Sequence, residues 1–199
     1  MQRLIPQLFT VGVEPQFGTF STAYDIGGDN LYLFSSDGRI ARVPYGAAGD
    51  RSQYSYWTGG INYDSNPLHA AQMLDAKENA PISGELCGFS TGDVFYSNPY
   101  QSWVIVYMTS CVDSTFYIRY SVSGRIEGPY SDQQTLYETM PPAARAGTNG
   151  DGDNVKGMNY AGHAYPQFLG DRSGKQVLLS WTEQPLGGYQ MGMATVTFL

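Results

Sequence analysis

Apolar and polar residues alternate along most of this chain with a period of two, in short runs separated by turns rich in Gly, Asn, Asp and Pro. That period places successive side chains on opposite faces of an extended strand, so each run predicts a half-buried β-strand. Runs at residues 18–24, 30–35, 39–44 and 54–57 form a first group. Its turns carry GGDN and SSDG, which supply the positive φ angles of tight hairpins. A second group lies at 93–98, 102–109, 115–121 and 134–137, turning through NPYQ, VDS and SGRIEGPYSD. A third lies at 163–169, 175–182 and 189–198, turning through GDRSG and PLGG. Helical periodicity is scarce. Its best stretch, residues 68–79, predicts a short helical turn inside a loop through Ala70, Ala71, Met73, Leu74 and Ala76.

Each group is a run of antiparallel strands in sequential order, and each opens alike. Gly18-Thr19 precedes FSTAY, Gly92-Asp93 precedes VFYSNP and Gly162-His163 precedes AYPQF. A meander sheet repeated in this way predicts an all-β chain with the architecture of a β-propeller. The blades are expected at about 16–58, 92–138 and 162–199, within a single domain over 1–199. A β-sandwich, also built from short antiparallel strands, is the alternative. The spacing is long for a blade, so the excess belongs to loops at 59–91 and 141–160, expected as excursions on one face. Three blades do not close a ring, and open sheet edges invite pairing. The expectation is therefore either the C-terminal portion of a longer propeller or completion by a partner chain.

In a propeller the innermost strand of each blade lines a central channel, and residues at its head face one mouth. Thr19, Asp93 and His163 are expected there. Glycoside hydrolysis needs two carboxyl groups flanking the bond, one protonated to donate to the leaving group. Asp93 and Glu85, in ISGELCG just upstream, are the candidate catalytic pair. Asp93 has an alternative use, bonding neighbouring backbone amides. His163 is suited to bond a sugar hydroxyl or to tune a carboxylate. Asp25 stands near the end of the first inner strand, where it also fits the DIGGDN turn. Tyr96 and Tyr165 offer rings for sugar faces, or for packing between blades. With His163 and Thr19, these three complete the candidate substrate-binding set.

Composition narrows the ligand. The net charge is −7 and the pI about 4.6. That argues against a phosphate backbone or an anionic membrane surface as the natural partner and suits neutral, polyhydroxylated ligands such as a polysaccharide or oligosaccharide. Charged residues are only 15% against 42% hydrophobic, as in a globular domain. No apolar run is long enough to span a membrane, and the N-terminus has no continuous apolar segment resembling a signal peptide. Cys87 and Cys111 fall within one residue of facing each other across a hairpin turning at 98–101. A disulfide there would add about 3 kcal/mol and imply an oxidising, secreted or extracellular setting; two buried thiols are the alternative. NGDGDN at 149–154 begins like a calcium loop, but the position that must be Glu is Gly162. No cofactor or metal site is expected, and no P-loop or GxGxxG is present.

The ordered segments QFGTFSTAYD, GDVFYSNPYQSWVIVYM, IRYSVSGRIEGPYS and GHAYPQF with QVLLSWTE resemble a secreted β-propeller family long catalogued as a domain of unknown function. That family is similar in architecture to the arabinanase- and sialidase-like propeller hydrolases, and some members are endo-acting D-arabinanases. The resemblance runs from about Gln16 to the C-terminus, and its GPY turn at 128–130 is shared with other propeller glycosidases. It implies a five-bladed ring whose additional N-terminal region contributes a carboxylate to the site. Asp93 falls at the family's Gly-acid position and His163 at its Gly-His position. The implied activity is hydrolysis of a furanoside polymer such as arabinan. The alternatives are a non-catalytic sugar-binding propeller and an assembly module joined through open blade edges.

Overall fold

The computed structural model describes residues 8–25, 27–73, 88–109, 114–139, 159–168, 175–183 and 189–198. Among the described residues the alternating runs form twelve strands in three antiparallel sheets. The first holds β1 (Ser21–Tyr24), β2 (Asn30–Phe34), β3 (Ile40–Pro44), β4 (Ser55–Gly59) and β5 (Asn62–Asp64). The second holds β6 (Phe89–Ser97), β7 (Ser102–Thr109), β8 (Thr115–Tyr120) and β9 (Gln134–Glu138). The third holds β10 (Asn159–Tyr165), β11 (Gln176–Glu183) and β12 (Gln190–Thr197). Within each sheet spatial order equals chain order. The three sheets stand as consecutive blades of a partial propeller, with β1, β6 and β10 innermost, and not as the two layers of a sandwich.

The packing explains a feature of the sequence. β7, SWVIVYMT, is buried at every position. Trp103, Ile105 and Tyr107 enter one core with Phe20, Phe34, Ile40 and Phe89 of the preceding residues. Val104, Val106 and Met108 enter another with Phe116, Val177, Leu179 and Trp181. A strand covered on both faces reads as a continuous apolar run rather than an alternating one. Each fully buried large apolar side chain here contributes about 1.5–3 kcal/mol.

The two outer faces of the stack differ. The far face of the first sheet is roofed by the N-terminal segment, whose Phe9 and Phe17 pack on Leu33, Val43, Tyr54 and Tyr56. Arg51 pins that segment, donating to the Leu8 carbonyl at 2.7 Å and to the Glu14 carboxylate. On the third sheet, Met191 and Met193 are exposed along β12, as is Tyr189 just before it.

Several boundaries depart from expectation. β5 was not foreseen, because the Gly59-Gly60 turn that creates it reads as loop. β6 begins four residues before Asp93, and β10 begins at Asn159 and ends at Tyr165. The expected helical turn over 68–79 is a single 3-10 turn at Pro67–His69, followed by an isolated bridge from Gln72 to Arg39. Residues 74–87 and most of 141–160 lie outside the described residues.

Candidate functional site

β6 and β10 are near copies. Residues 89–95 and 159–165 have the same sequence of buried and half-buried positions, and each strand carries a bulge against its neighbour. Gly92 and Gly162 are both required by close approach. A Cβ on Gly92 would lie 2.3 Å from the Val106 carbonyl oxygen. One on Gly162 would lie 2.5 Å from the Met108 sulfur and 2.6 Å from the Phe116 ring. The residue after each glycine is thereby held at the seam between sheets.

At each seam a side-chain oxygen of one inner strand accepts a hydrogen bond from the backbone of the next. The Val94 N–H donates to Ser21 Oγ at 3.1 Å. The Ala164 N–H donates to Asp93 Oδ2 at 2.7 Å. Ser21 is therefore the first-sheet equivalent of Asp93 and His163. Thr19, the expected equivalent, lies in the preceding turn. Its hydroxyl donates to the Gln16 carbonyl at 2.7 Å and accepts from the Ser36 N–H. The cause is Gly18, a turn glycine with φ of +85°, whereas Gly92 and Gly162 serve close approach.

The three inner strands open onto one cavity of about 660 Å³. Thr22, Tyr24 and Asp25 line it from the first sheet, Asp93, Tyr96 and Trp103 from the second, and Ala164, Tyr165 and Gln167 from the third. His163 Nδ1 stands 3.2 Å from Asp93 Oδ2. Both side chains stay partly open to solvent, at 44% and 34%. The Asp93 hydrogen bond raises the His163 pKa above its ordinary 6.5, against the opposing effect of burial. The pair thus sets an oriented carboxylate beside an imidazole that stays protonated to higher pH.

The other expected residues fall as follows. Asp25 lines the cavity with its carboxylate committed to its own turn. Oδ1 accepts from the Asp29 N–H at 2.8 Å, and Oδ2 accepts from the Asn30 N–H and side-chain amide at 3.2 and 2.9 Å. Burial pushes its pKa up, but these hydrogen bonds outweigh it and hold the carboxyl below its ordinary value. An ionised, triply bonded Asp25 is unsuited to act as a general acid. Tyr96 packs edge-on against Trp103 at 5.7 Å. The Tyr165 hydroxyl accepts from Ser180 Oγ at 3.3 Å, and its ring stands 5.5 Å from Phe168. Glu85, Cys87 and Cys111 lie outside the described residues. Sequence reasoning missed Tyr24 and Thr22. The signal was present, since alternation along STAY puts both on one face.

A second polar cluster joins the first two sheets away from the cavity. The Tyr63 hydroxyl and Arg125 donate to the buried Glu127 carboxylate, and the Arg42 guanidinium lies 3.6 Å above the Tyr63 ring. Burial, reinforced by Glu127, raises the Tyr63 pKa. Among the described residues no group of three or more His, Cys, Asp or Glu is placed to hold a metal ion, and no helix is long and apolar enough to cross a membrane.

No family model and no curated protein matches the sequence. Solved structures do match. A presumed hydrolase from Bacteroides ovatus ATCC 8483 superposes with a TM-score of 0.55 at 15% identity, over 83% of this chain and 38% of its own. An N-acetylgalactosamine deacetylase from F. plautii, in complex with blood group B trisaccharide, gives 0.46 at 12% identity, over 92% and 51%. An engineered GH43 glycoside hydrolase with both endo-xylanase and exo-arabinofuranosidase activity gives 0.41 at 13% identity, over 94% and 39%. The chain spans about half or less of each, and the similarity to the first is one of fold.

Proposed function

We propose that this chain is a carbohydrate-active propeller whose site is the cavity at the heads of β6 and β10, acting on a furanoside polymer such as arabinan. One observation carries the reading. Three inner strands bring an oriented carboxylate and several aromatic rings around one open cavity in an acidic chain, with the His163 imidazole against that carboxylate. Hydroxyls of a neutral sugar suit the polar groups, and its apolar ring faces suit Tyr96 and Tyr165. The fold is also that of a presumed hydrolase.

In this reading Asp93 is the working carboxylate. The Ala164 N–H fixes its rotamer, and His163 balances its charge. Asp93 then serves as base, nucleophile or stabiliser of the positive charge that develops at the anomeric carbon. Glu85 is the proposed acid that protonates the leaving oxygen. Release of reducing sugar from arabinan, compared between the protein and Asp93→Asn, tests this. Release by the wild type alone supports hydrolysis. Release by neither, with binding to arabinan retained, replaces hydrolysis by sugar binding.

A second reading, an assembly module, rests on the exposed Met191 and Met193 of the edge strand β12 and on Tyr189 just before it. We assign a second copy of this chain to that face, because the exposed row of Met191, Met193, Thr195 and Thr197 carries no charge to oppose self-association. Sedimentation of a single species at monomer mass up to high protein concentration removes it.

A further inference from the structure

Tyr24 and Tyr45 are exposed at 53% and 60%, yet their rings are held together at 5.3 Å and 70°. Single exposed apolar residues are ordinary on any surface. A pair of large rings at the rim of an open cavity is less so, and Tyr24 is one of the cavity's own lining residues.

The pair is braced by backbone geometry rather than by burial. Tyr24 stands on the outward face of β1, and Tyr45 opens a 3-10 turn directly after β3. The Tyr45 N–H donates to the Asp29 carbonyl at 3.0 Å. Asp29 and Asn30 are in turn bound by the Asp25 carboxylate, and Asn30 faces Pro44 across the β2–β3 ladder. Asp25 is thus a positioning residue that ties the turn carrying Tyr45 to the strand carrying Tyr24. Rigid tyrosines give large, amphipathic contact area at small conformational cost. Asp25 and Asp29, in the turn that links β1 and β2, carry negative charge that disfavours an anionic sugar and leaves a neutral one.

We propose that Tyr24 and Tyr45 form a stacking subsite for a neutral sugar unit, remote from the unit held at Asp93, so that a polymer chain runs from the cavity outward over the first sheet. This rests on the cavity being a glycan site. The test is calorimetric titration of arabino-oligosaccharides, from disaccharide to octasaccharide, into wild type, Tyr45→Ala and Tyr45→Phe. Wild-type affinity is expected to rise at the length that reaches the rim. Tyr45→Ala should then lose about fivefold to tenfold on the long oligosaccharides and less than about twofold on the disaccharide. Tyr45→Phe, which keeps the ring, should retain the length dependence. Equal loss at all lengths, or none at any length, overturns the remote subsite while the cavity reading stands. Failure of the wild type to bind any member of the series overturns the cavity reading and the subsite together. Tyr45 is exposed, so all three proteins should melt alike.

Discussion

Replacing Asp93 by alanine removes two interactions at the seam between the second and third sheets. The first is the 2.7 Å hydrogen bond from the Ala164 N–H, whose residue is only 3% exposed. A hydrogen bond to a charged acceptor is worth about 1.5–3 kcal/mol, and its loss leaves a buried donor without a partner. The second is the contact with His163 at 3.2 Å, with both side chains more than a third open to water. Solvent screening limits that pair to about 1 kcal/mol or less. The sum is about 2–4 kcal/mol, or a fall in Tm of about 5–12 °C for a chain of this size. Asp93→Asn keeps an oxygen for the Ala164 N–H and should cost only about 1 kcal/mol, or about 2–4 °C. Thermal unfolding of the three proteins followed by near-ultraviolet circular dichroism measures both. The deficit of Asp93→Asn should also depend on pH. The raised pKa of His163 means its contribution is complete below the ordinary value of 6.5 and fades as pH rises through the folded-state value. The gap between wild type and Asp93→Asn should therefore narrow above pH 6.5. An Asp93→Ala protein melting within about 1 °C of wild type would refute the seam.

Three further outcomes follow from the packing. Gly162→Ala forces a methyl against Met108 and the rigid Phe116 ring, and should lower stability by about 1–3 kcal/mol in urea titration; an unchanged midpoint contradicts the close approach. Hydrogen bonding by Arg51 and the Thr10 N–H depresses the Glu14 carboxyl from 4.5 to about 2. Its contribution is present above pH 4.5 and lost as pH falls toward 2, so Glu14→Gln should cost about 1 kcal/mol at neutral pH and nothing near pH 2, read as Tm against pH. Glu127→Ala takes the acceptor from Tyr63 and should cost about 1–3 kcal/mol, whereas a neutral result in the same melts would mean that Tyr63 finds another acceptor.

The meander sheets were legible because the alternation and hairpin turns are local. β7 was equally plain, since a strand covered on both faces can only be apolar throughout. The starts of the inner strands were not. Residues 89–91, FST, were expected in the long loop, and only the neighbouring sheet makes them strand. Asp93 and His163 could be picked out because a glycine forced by close approach precedes each. The same glycine signal misplaced the first-sheet residue by two, because a turn glycine and a close-approach glycine look alike in sequence. Arg119 was hidden for a different reason. It is 1% exposed on a strand where a charge is expected to face water, and it is held there by donating to the Tyr107 hydroxyl at 3.0 Å and the Ser131 carbonyl at 2.9 Å. The stacking pair joins residues 24 and 45 through a turn whose geometry no periodicity encodes.

The chain has two histidines: His163, against the cavity carboxylate Asp93 at 3.2 Å, and His69, which pairs with Asp64 at 2.7 Å. Imidazole resonances followed by nuclear magnetic resonance while arabino-oligosaccharide is added test the site most directly, with His69 as the internal reference. The His163 signals should titrate above 6.5 and move on addition of oligosaccharide, while those of His69 stay in place. Oligosaccharide binding that leaves His163 unmoved, or moves His69 alone, would show that the cavity at Asp93 is not where this protein meets carbohydrate.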